Sequence, residues 1–263
     1  MIMDDVIDKS ELRRNAPCWY KQEDPCWHLQ EGVGVAAIND ALLLEASIYT
    51  LLKKYFDGKE CYKYVSGLLH ETATKTIMGQ SLDMMCQNPD GSPRLDAFTM
   101  NRYQAIVKYK TSHYTFHLPS GLAMYLANWY DDEQHRQAKT IFLEIGEFFQ
   151  IQDDFLDCFG DSELTGKKGT DIQEGKCSWL AVVALQRATS AQRKIMEEHY
   201  GKPDEKSIQL IKDLYLELNL PATYATYEEE CFNRIRTHIQ QISKGLPHEL
   251  FFKLLNKIYK RSG

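Results

Sequence analysis

Residues 146–161 read Gly-Glu-Phe-Phe-Gln-Ile-Gln-Asp-Asp-Phe-Leu-Asp-Cys-Phe-Gly-Asp, an acidic cluster set in an apolar frame. The surrounding pattern predicts a helix from about Ala138 to Phe159. On a helix, residues i and i+4 share a face, so Asp153 and Asp157 project together with Gln150 one turn earlier. Like charges at that spacing weaken a helix unless something cationic holds them. Carboxylate oxygens so placed suit a hard divalent ion such as Mg²⁺, which takes one or two carboxylates plus phosphate oxygens.

The same DDxxD spacing recurs near the start, in Asp4-Asp5-Val6-Ile7-Asp8. A lone acidic helix face is usually just solvated. Two of them, with apolar flanks, can oppose each other across a helical cavity and bracket several Mg²⁺ ions around a diphosphate.

The 263 residues can bury a large core, and no shift in composition marks a boundary, so one domain over 1–263 is expected. A formal net charge of −6 argues against nucleic acid as a main partner. Seven cysteines without CxxC or zinc spacing fit reduced thiols in a cytoplasmic compartment, packed as small apolar residues. Met1-Ile2-Met3 runs straight into aspartates, unlike a signal peptide. Thr111–Tyr130 is the one membrane-like run; with His113, His117, Pro119, Ser120 and Asn128 in it, it reads as a core helix bent at Pro119, not a span. The two histidines are expected to be satisfied core or cavity-lining groups and not metal ligands.

Pro17-Cys18-Trp19-Tyr20 is echoed by Pro25-Cys26-Trp27-His28 eight residues on, so that 15–22 and 23–30 look like a small tandem duplication lengthening a surface loop. From Val35 to Phe56 the pattern is helical and apolar almost all round, the mark of a helix buried in a core or an interface. Further helices are expected over about Cys61–Met85, which carries Gln80 and Asp83, then Asp96–Lys108, Ser178–Ala188, Ala191–Tyr200, Glu205–Leu218, Ala222–Lys244 and Glu249–Tyr259. Asn88–Pro93 is the clearest turn. No segment alternates at period two, and the class is all-α.

Several motifs, in order along nearly the whole chain, together resemble the short-chain trans-prenyltransferases, the farnesyl diphosphate synthases of eukaryotes. They are Asp4–Asp8 with Arg13-Arg14, Lys110-Thr111, Phe148–Asp157, Thr165-Gly166-Lys167, Asp171-Ile172-Gln173, Lys176-Cys177-Ser178-Trp179 and Lys257–Arg261. The resemblance implies an isoprenoid-synthase-type helical bundle around a central cavity. It also implies head-to-tail coupling of an allylic diphosphate to isopentenyl diphosphate, and a homodimer through the 35–56 helix, although burial of that helix within one subunit is equally allowed by its pattern. Asp4, Asp8 and Asp153 would hold three Mg²⁺, with Asp154 and Asp157 assisting through waters and Asp83 and Gln80 lining the same side. Lys110, Lys167 and Lys176 would meet the leaving diphosphate. Arg14 and Arg261 would face isopentenyl diphosphate, and Arg13 would bind substrate beside them.

The chemistry asks for such a set. Breaking an allylic C–O bond builds negative charge on diphosphate and positive charge on carbon. Cations serve the first; Phe148, Phe149 and Tyr114 offer π faces, and Thr111 and Gln150 offer dipoles, to the second. The departing diphosphate can itself accept the proton lost at the end. Members of the family carry about three helices ahead of the first aspartate motif, and these have no counterpart here, so an incomplete domain lacking the first helices is expected, with exposed apolar faces and a tendency to aggregate. Two rival readings are a terpene synthase, a lyase that ionises an allylic diphosphate without isopentenyl diphosphate, and a non-catalytic paralogue.

Overall fold

The structure, a computed structural model, describes residues 1–13, 16–23, 32–160, 169–243 and 245–260. Two compact units emerge, Met1–Gly67 and Leu68–Gly263. Both are helical, as expected, and the fold is all-α.

In the first unit a short helix α1 (Ile2–Ile7) packs on α2 (Ala36–Phe56). Between them Leu12 pairs with Pro17 and Arg13 with Ala16, forming a two-residue antiparallel ladder of β1 and β2 where no strand was expected. Pro17 biases Ala16 toward extended backbone, which a period-two search cannot register over so short a span. Trp19 of the first duplicated segment donates its indole N–H to Asp40 at 2.8 Å; the second segment lies largely outside the described residues. Cys18 is buried, whereas α2 buries only Ala37 and Leu52. Ile38, Leu42, Leu43, Leu44, Ile48, Leu51 and Tyr55 are exposed, so the described residues do not cover the helix expected to be buried in a core or an interface.

α3 (Tyr62–Met84) leads into the second unit, followed by α4 (Met100–Ile106), a π-helical segment Val107–His117, and α5 (Leu118–Leu126). The Leu118 N–H reaches back five residues to His113 O, the π pattern, and Pro119 falls in the first turn of α5. A missing N–H there costs little. A change of helix type therefore stands where a proline bend was expected.

α6 (Asp132–Phe159) starts six residues before the expected Ala138. Asp131 caps it, accepting the Gln134 N–H at 2.9 Å, and the polar first turns carry no apolar period to betray them. Its buried stripe, Ala138, Ile141, Phe142, Ile145 and Phe148, joins one core with α5, α11 (Leu220–Gln240) and α12 (His248–Ile258). A second core gathers α4 and the C-terminal half of α6 with α7 (Asp171–Glu174), α8 (Trp179–Arg187), α9 (Ser190–His199) and α10 (Glu205–Glu217). α8 is buried nearly all round, after Ser178 caps its start. No helix among the described residues is long and apolar enough to cross a membrane.

Candidate active site

Two glycines set the geometry of the second unit's acidic face. A Cβ on Gly79 of α3 would lie 2.1 Å from the Lys110 backbone nitrogen, and one on Gly146 of α6 would lie 2.6 Å from the Ser112 side chain. Only glycine lets both helices come so close to the π segment. Lys110-Thr111 is thereby held between α3 and α6, with Asp83 one turn beyond Gly79 on one side and Gln150 one turn beyond Gly146 on the other.

Lys110 Nζ donates to Asp83 Oδ2 at 2.6 Å, and Lys176 Nζ stands 4.0 Å from the same oxygen and 4.0 Å from Glu174. Two ammonium groups thus flank a single aspartate, a grouping suited to an incoming anion. Gln80, one turn before Asp83, has its Nε2 buried without a hydrogen-bond partner among the described residues. Thr111 Oγ1 donates to Gln150 Oε1 at 3.2 Å. These expected residues do meet.

Asp153 and Asp157 share the Gln150 stripe of α6 and are partly buried. Asp157 also accepts the Thr170 N–H at 3.2 Å and the Asp171 N–H at 3.0 Å, tying α6 to the start of α7. Asp154 points elsewhere. Only 6% exposed, it accepts the Tyr103 hydroxyl at 2.7 Å, the Trp179 N–H at 2.8 Å and the Gln150 amide at 2.9 Å. Burial pushes its carboxyl up to about 7, against those three donors, which favour the charged form. It serves the interior, in place of the expected water-mediated role.

Among the described residues no three His, Cys, Asp or Glu side chains form a set that could hold a metal alone. Mg²⁺ takes one or two carboxylates and completes its shell from phosphates and water, and Asp153 and Asp157 at i,i+4 are donors of that type. Hard oxygen donors are what α6 offers. A cavity of about 570 Å³, lined by Gln104, Glu147, Trp179, Arg187 and Tyr227 among others, follows a different stripe of α6 and includes none of Lys110, Gln150 and Asp153.

The first unit keeps its own acidic set. Asp4 and Asp8 lie at i,i+4, the Asp8 N–H bonding Asp4 O at 2.8 Å. Asp5 is buried and held by Arg13, whose Nε stands 2.8 and 2.9 Å from its two oxygens. Arg13 also lies 3.7 Å from Asp4. The hydrogen bond to Asp5 raises the guanidinium pKa further. Arg13, expected to face substrate, is here bound to Asp5.

Arg14, Lys167 and Arg261 lie outside the described residues. Of the expected π faces, Phe148 is fully buried core, Phe149 packs edge-on to Phe116 with ring centroids 5.3 Å apart, and Tyr114 is exposed. His113 and His117 are buried neutral imidazoles, their pKa values lowered to about 4 by burial, and in both Nδ1 has no hydrogen-bond partner among the described residues. They are buried, as expected. Sequence reading overlooked Gly79, Gly146 and Tyr103; isolated glycines inside helical patterns were the available signal for the first two.

These elements define the class, an all-α isoprenoid-synthase bundle. The chain belongs to the polyprenyl synthetase family, whose model matches residues 1–218. Farnesyl pyrophosphate synthases of Murgantia histrionica and Nezara viridula are each 48% identical over 99% of this chain, which spans 62% of their length. That of Rattus norvegicus is 47% identical, and the chain spans 71% of it. Among solved structures, T. brucei farnesyl diphosphate synthase complexed with minodronate matches with a TM-score of 0.89 at 32% identity, covering 100% of this chain and 73% of that one.

Proposed function

We propose that the chain is a prenyltransferase of the farnesyl diphosphate synthase type, condensing dimethylallyl or geranyl diphosphate with isopentenyl diphosphate to give geranyl or farnesyl diphosphate. The observation that carries this reading is the pair Lys110 and Lys176 on Asp83, one residue from Thr111 and its partner Gln150. Both lysines hold the allylic diphosphate and draw off the charge that develops as its C–O bond breaks. Thr111 and Gln150 turn oxygen dipoles toward the carbon left behind. Asp83, Asp153 and Asp157 of the second unit are assigned to Mg²⁺, which when bound would neutralise the leaving diphosphate; Asp4 and Asp8 are assigned to Mg²⁺ by family likeness alone, for three ions in all. Lys167 is assigned to the same diphosphate, and Arg13, Arg14, Gln80 and Arg261 to substrate binding, by family likeness.

Both units are assigned to one domain, since the family match runs across residue 67. The exposed apolar face of α2 supports a homodimer, and the free buried thiols support a reducing, cytoplasmic location. The test is to incubate the protein with Mg²⁺ and geranyl diphosphate, with and without isopentenyl diphosphate. A longer diphosphate formed only when both substrates are present supports the proposal. A hydrocarbon or alcohol without isopentenyl diphosphate points to the lyase, and no turnover to a binding paralogue.

A further inference from the structure

The second aspartate of the α6 motif does something that the motif does not announce. Asp154 stands between two carboxylates of the proposed metal set, yet its own oxygens face the interior and take three donors from three different places. Oδ2 accepts both the Tyr103 hydroxyl and the Trp179 N–H; Oδ1 accepts Gln150 Nε2. Both oxygens of Asp154 thus act as acceptors, and neither is left to accept from a different group at that edge.

The consequence falls on Gln150. An amide side chain presents an NH₂ on one edge and a carbonyl oxygen on the other, and the surrounding hydrogen bonds decide which way round it sits. With Asp154 Oδ1 claiming the NH₂, Gln150 Oε1 must face Thr111, from whose hydroxyl it accepts at 3.2 Å. Reversed, the amide would turn its positive edge to the same place.

We propose that Asp154 is a positioning residue that sets the polarity of the Gln150 amide, so that the carbonyl oxygen and not the NH₂ is presented beside Thr111. This rests on the proposed reaction, in which positive charge develops on the substrate carbon near Thr111 and Gln150. A carbonyl oxygen stabilises that charge and an NH₂ opposes it. Tyr103 and Trp179 occupy the other oxygen and keep the carboxylate from rotating. The Trp179 N–H also opens the helix that follows Lys176 by three residues, so the same carboxylate anchors the turn carrying that lysine.

A pair of amide and carboxylate swaps separates this role from a merely structural one. In Asp154→Asn, the remaining side-chain oxygen can still accept from Tyr103 and Trp179, but the new NH₂ then faces Gln150 and reverses its amide. Adding Gln150→Glu restores an oxygen on both edges of residue 150. That side chain can accept from the amide introduced at position 154 and again present oxygen to Thr111, at unchanged net charge. The expected result is that Asp154→Asn lowers kcat about 10–100-fold with KM for the allylic diphosphate within about threefold. The double variant should recover at least about tenfold of that loss. A double variant no better than Asp154→Asn, with both proteins folded by circular dichroism and thermal unfolding, overturns the proposal.

A second readout needs no turnover. In protein labelled with ¹⁵N-glutamine, the side-chain NH₂ pair of Gln150 is identified by its loss in Gln150→Leu. In the unaltered protein it should exchange slowly with solvent, and in Asp154→Asn it should shift and exchange faster. Superimposable signals in the two proteins refute the positioning role. An unaltered protein that shows the NH₂ shift but no condensation retains the amide orientation and sinks the reaction, so the two failures are distinguishable.

Discussion

Replacing Gly79 by alanine offers a sharp test of how Lys110 is held in place. In an ordinary helix interior the change is favourable by about 1 kcal/mol, because alanine loses less backbone entropy. At Gly79, however, the new Cβ would stand 2.1 Å from the Lys110 nitrogen and 2.5 Å from Lys110 Cα and Tyr109 C. Carbon atoms pack at about 3.5–4.0 Å, and these neighbours are backbone that cannot swing away. α3 and the π segment must then separate by about an ångström, at an overpacking cost of about 1–3 kcal/mol. The cost offsets or exceeds the propensity gain, giving a net loss of up to about 2 kcal/mol, or up to about 8 °C in Tm for a chain of this size. The same separation stretches the Lys110–Asp83 bond of 2.6 Å. Gly67 is the control, because it lies on the same helix with nothing within 4 Å of its Cβ position, and its replacement should raise Tm. Differential scanning calorimetry of both variants, with pyrophosphate titrations in the presence of Mg²⁺, reads the outcome. Equal stabilisation by the two alanines, with undiminished pyrophosphate binding in the Gly79 variant, would refute the close-approach argument.

Other outcomes follow from the same geometry. Lys176→Ala should weaken binding of inorganic pyrophosphate about tenfold by isothermal titration calorimetry, consistent with loss of one charge-assisted hydrogen bond; unchanged affinity would remove Lys176 from the site. His113 and His117 have folded pKa values near 4 against 6.5 for the free side chain, so the folded protein binds fewer protons and loses stability as pH falls from about 6.5 toward 4. Lys75, Lys108 and Lys139 disfavour the imidazolium and Glu71 opposes them at His117; allowing for partial solvation, each histidine contributes about 1–2 kcal/mol to that acid loss. Urea unfolding at pH 7 and pH 5 should show a smaller drop in His113→Phe/His117→Phe than in the unaltered protein. Leu43→Glu with Leu51→Lys on α2 should convert a dimer to monomer in sedimentation, and a monomeric parent would dispose of the interface.

Helix content was legible because most helices carry an apolar stripe at helical spacing and a cap or turn at an end, as Asp204 and Thr189 do for α10 and α9. The start of α6 was not, since Asp132–Gln137 is polar and owes its helix to the Asp131 cap. Nor was the π segment, whose wider period cannot be told from an α-helix over eleven residues. The resemblance set Lys110 and Asp83 toward one diphosphate, whereas their ion pair and the inward turn of Asp154 were not legible. Its partners Tyr103 and Trp179 lie 51 and 25 residues away, beyond any local spacing rule. Phe148 shows the same limit, for an aromatic on an acidic helix reads equally as cavity wall or core, and here neighbouring helices bury it.

The central issue is whether the α6 carboxylates take up a divalent ion together with a diphosphate. Mn²⁺ can replace Mg²⁺ and be counted by electron paramagnetic resonance in the presence of a non-hydrolysable thiolodiphosphate of geraniol. Several ions should bind tightly only when that analogue is added, and Asp153→Ala should abolish the uptake while leaving the helical spectrum intact. Ion binding that ignores the diphosphate, or that survives the loss of Asp153, would contradict the assignment.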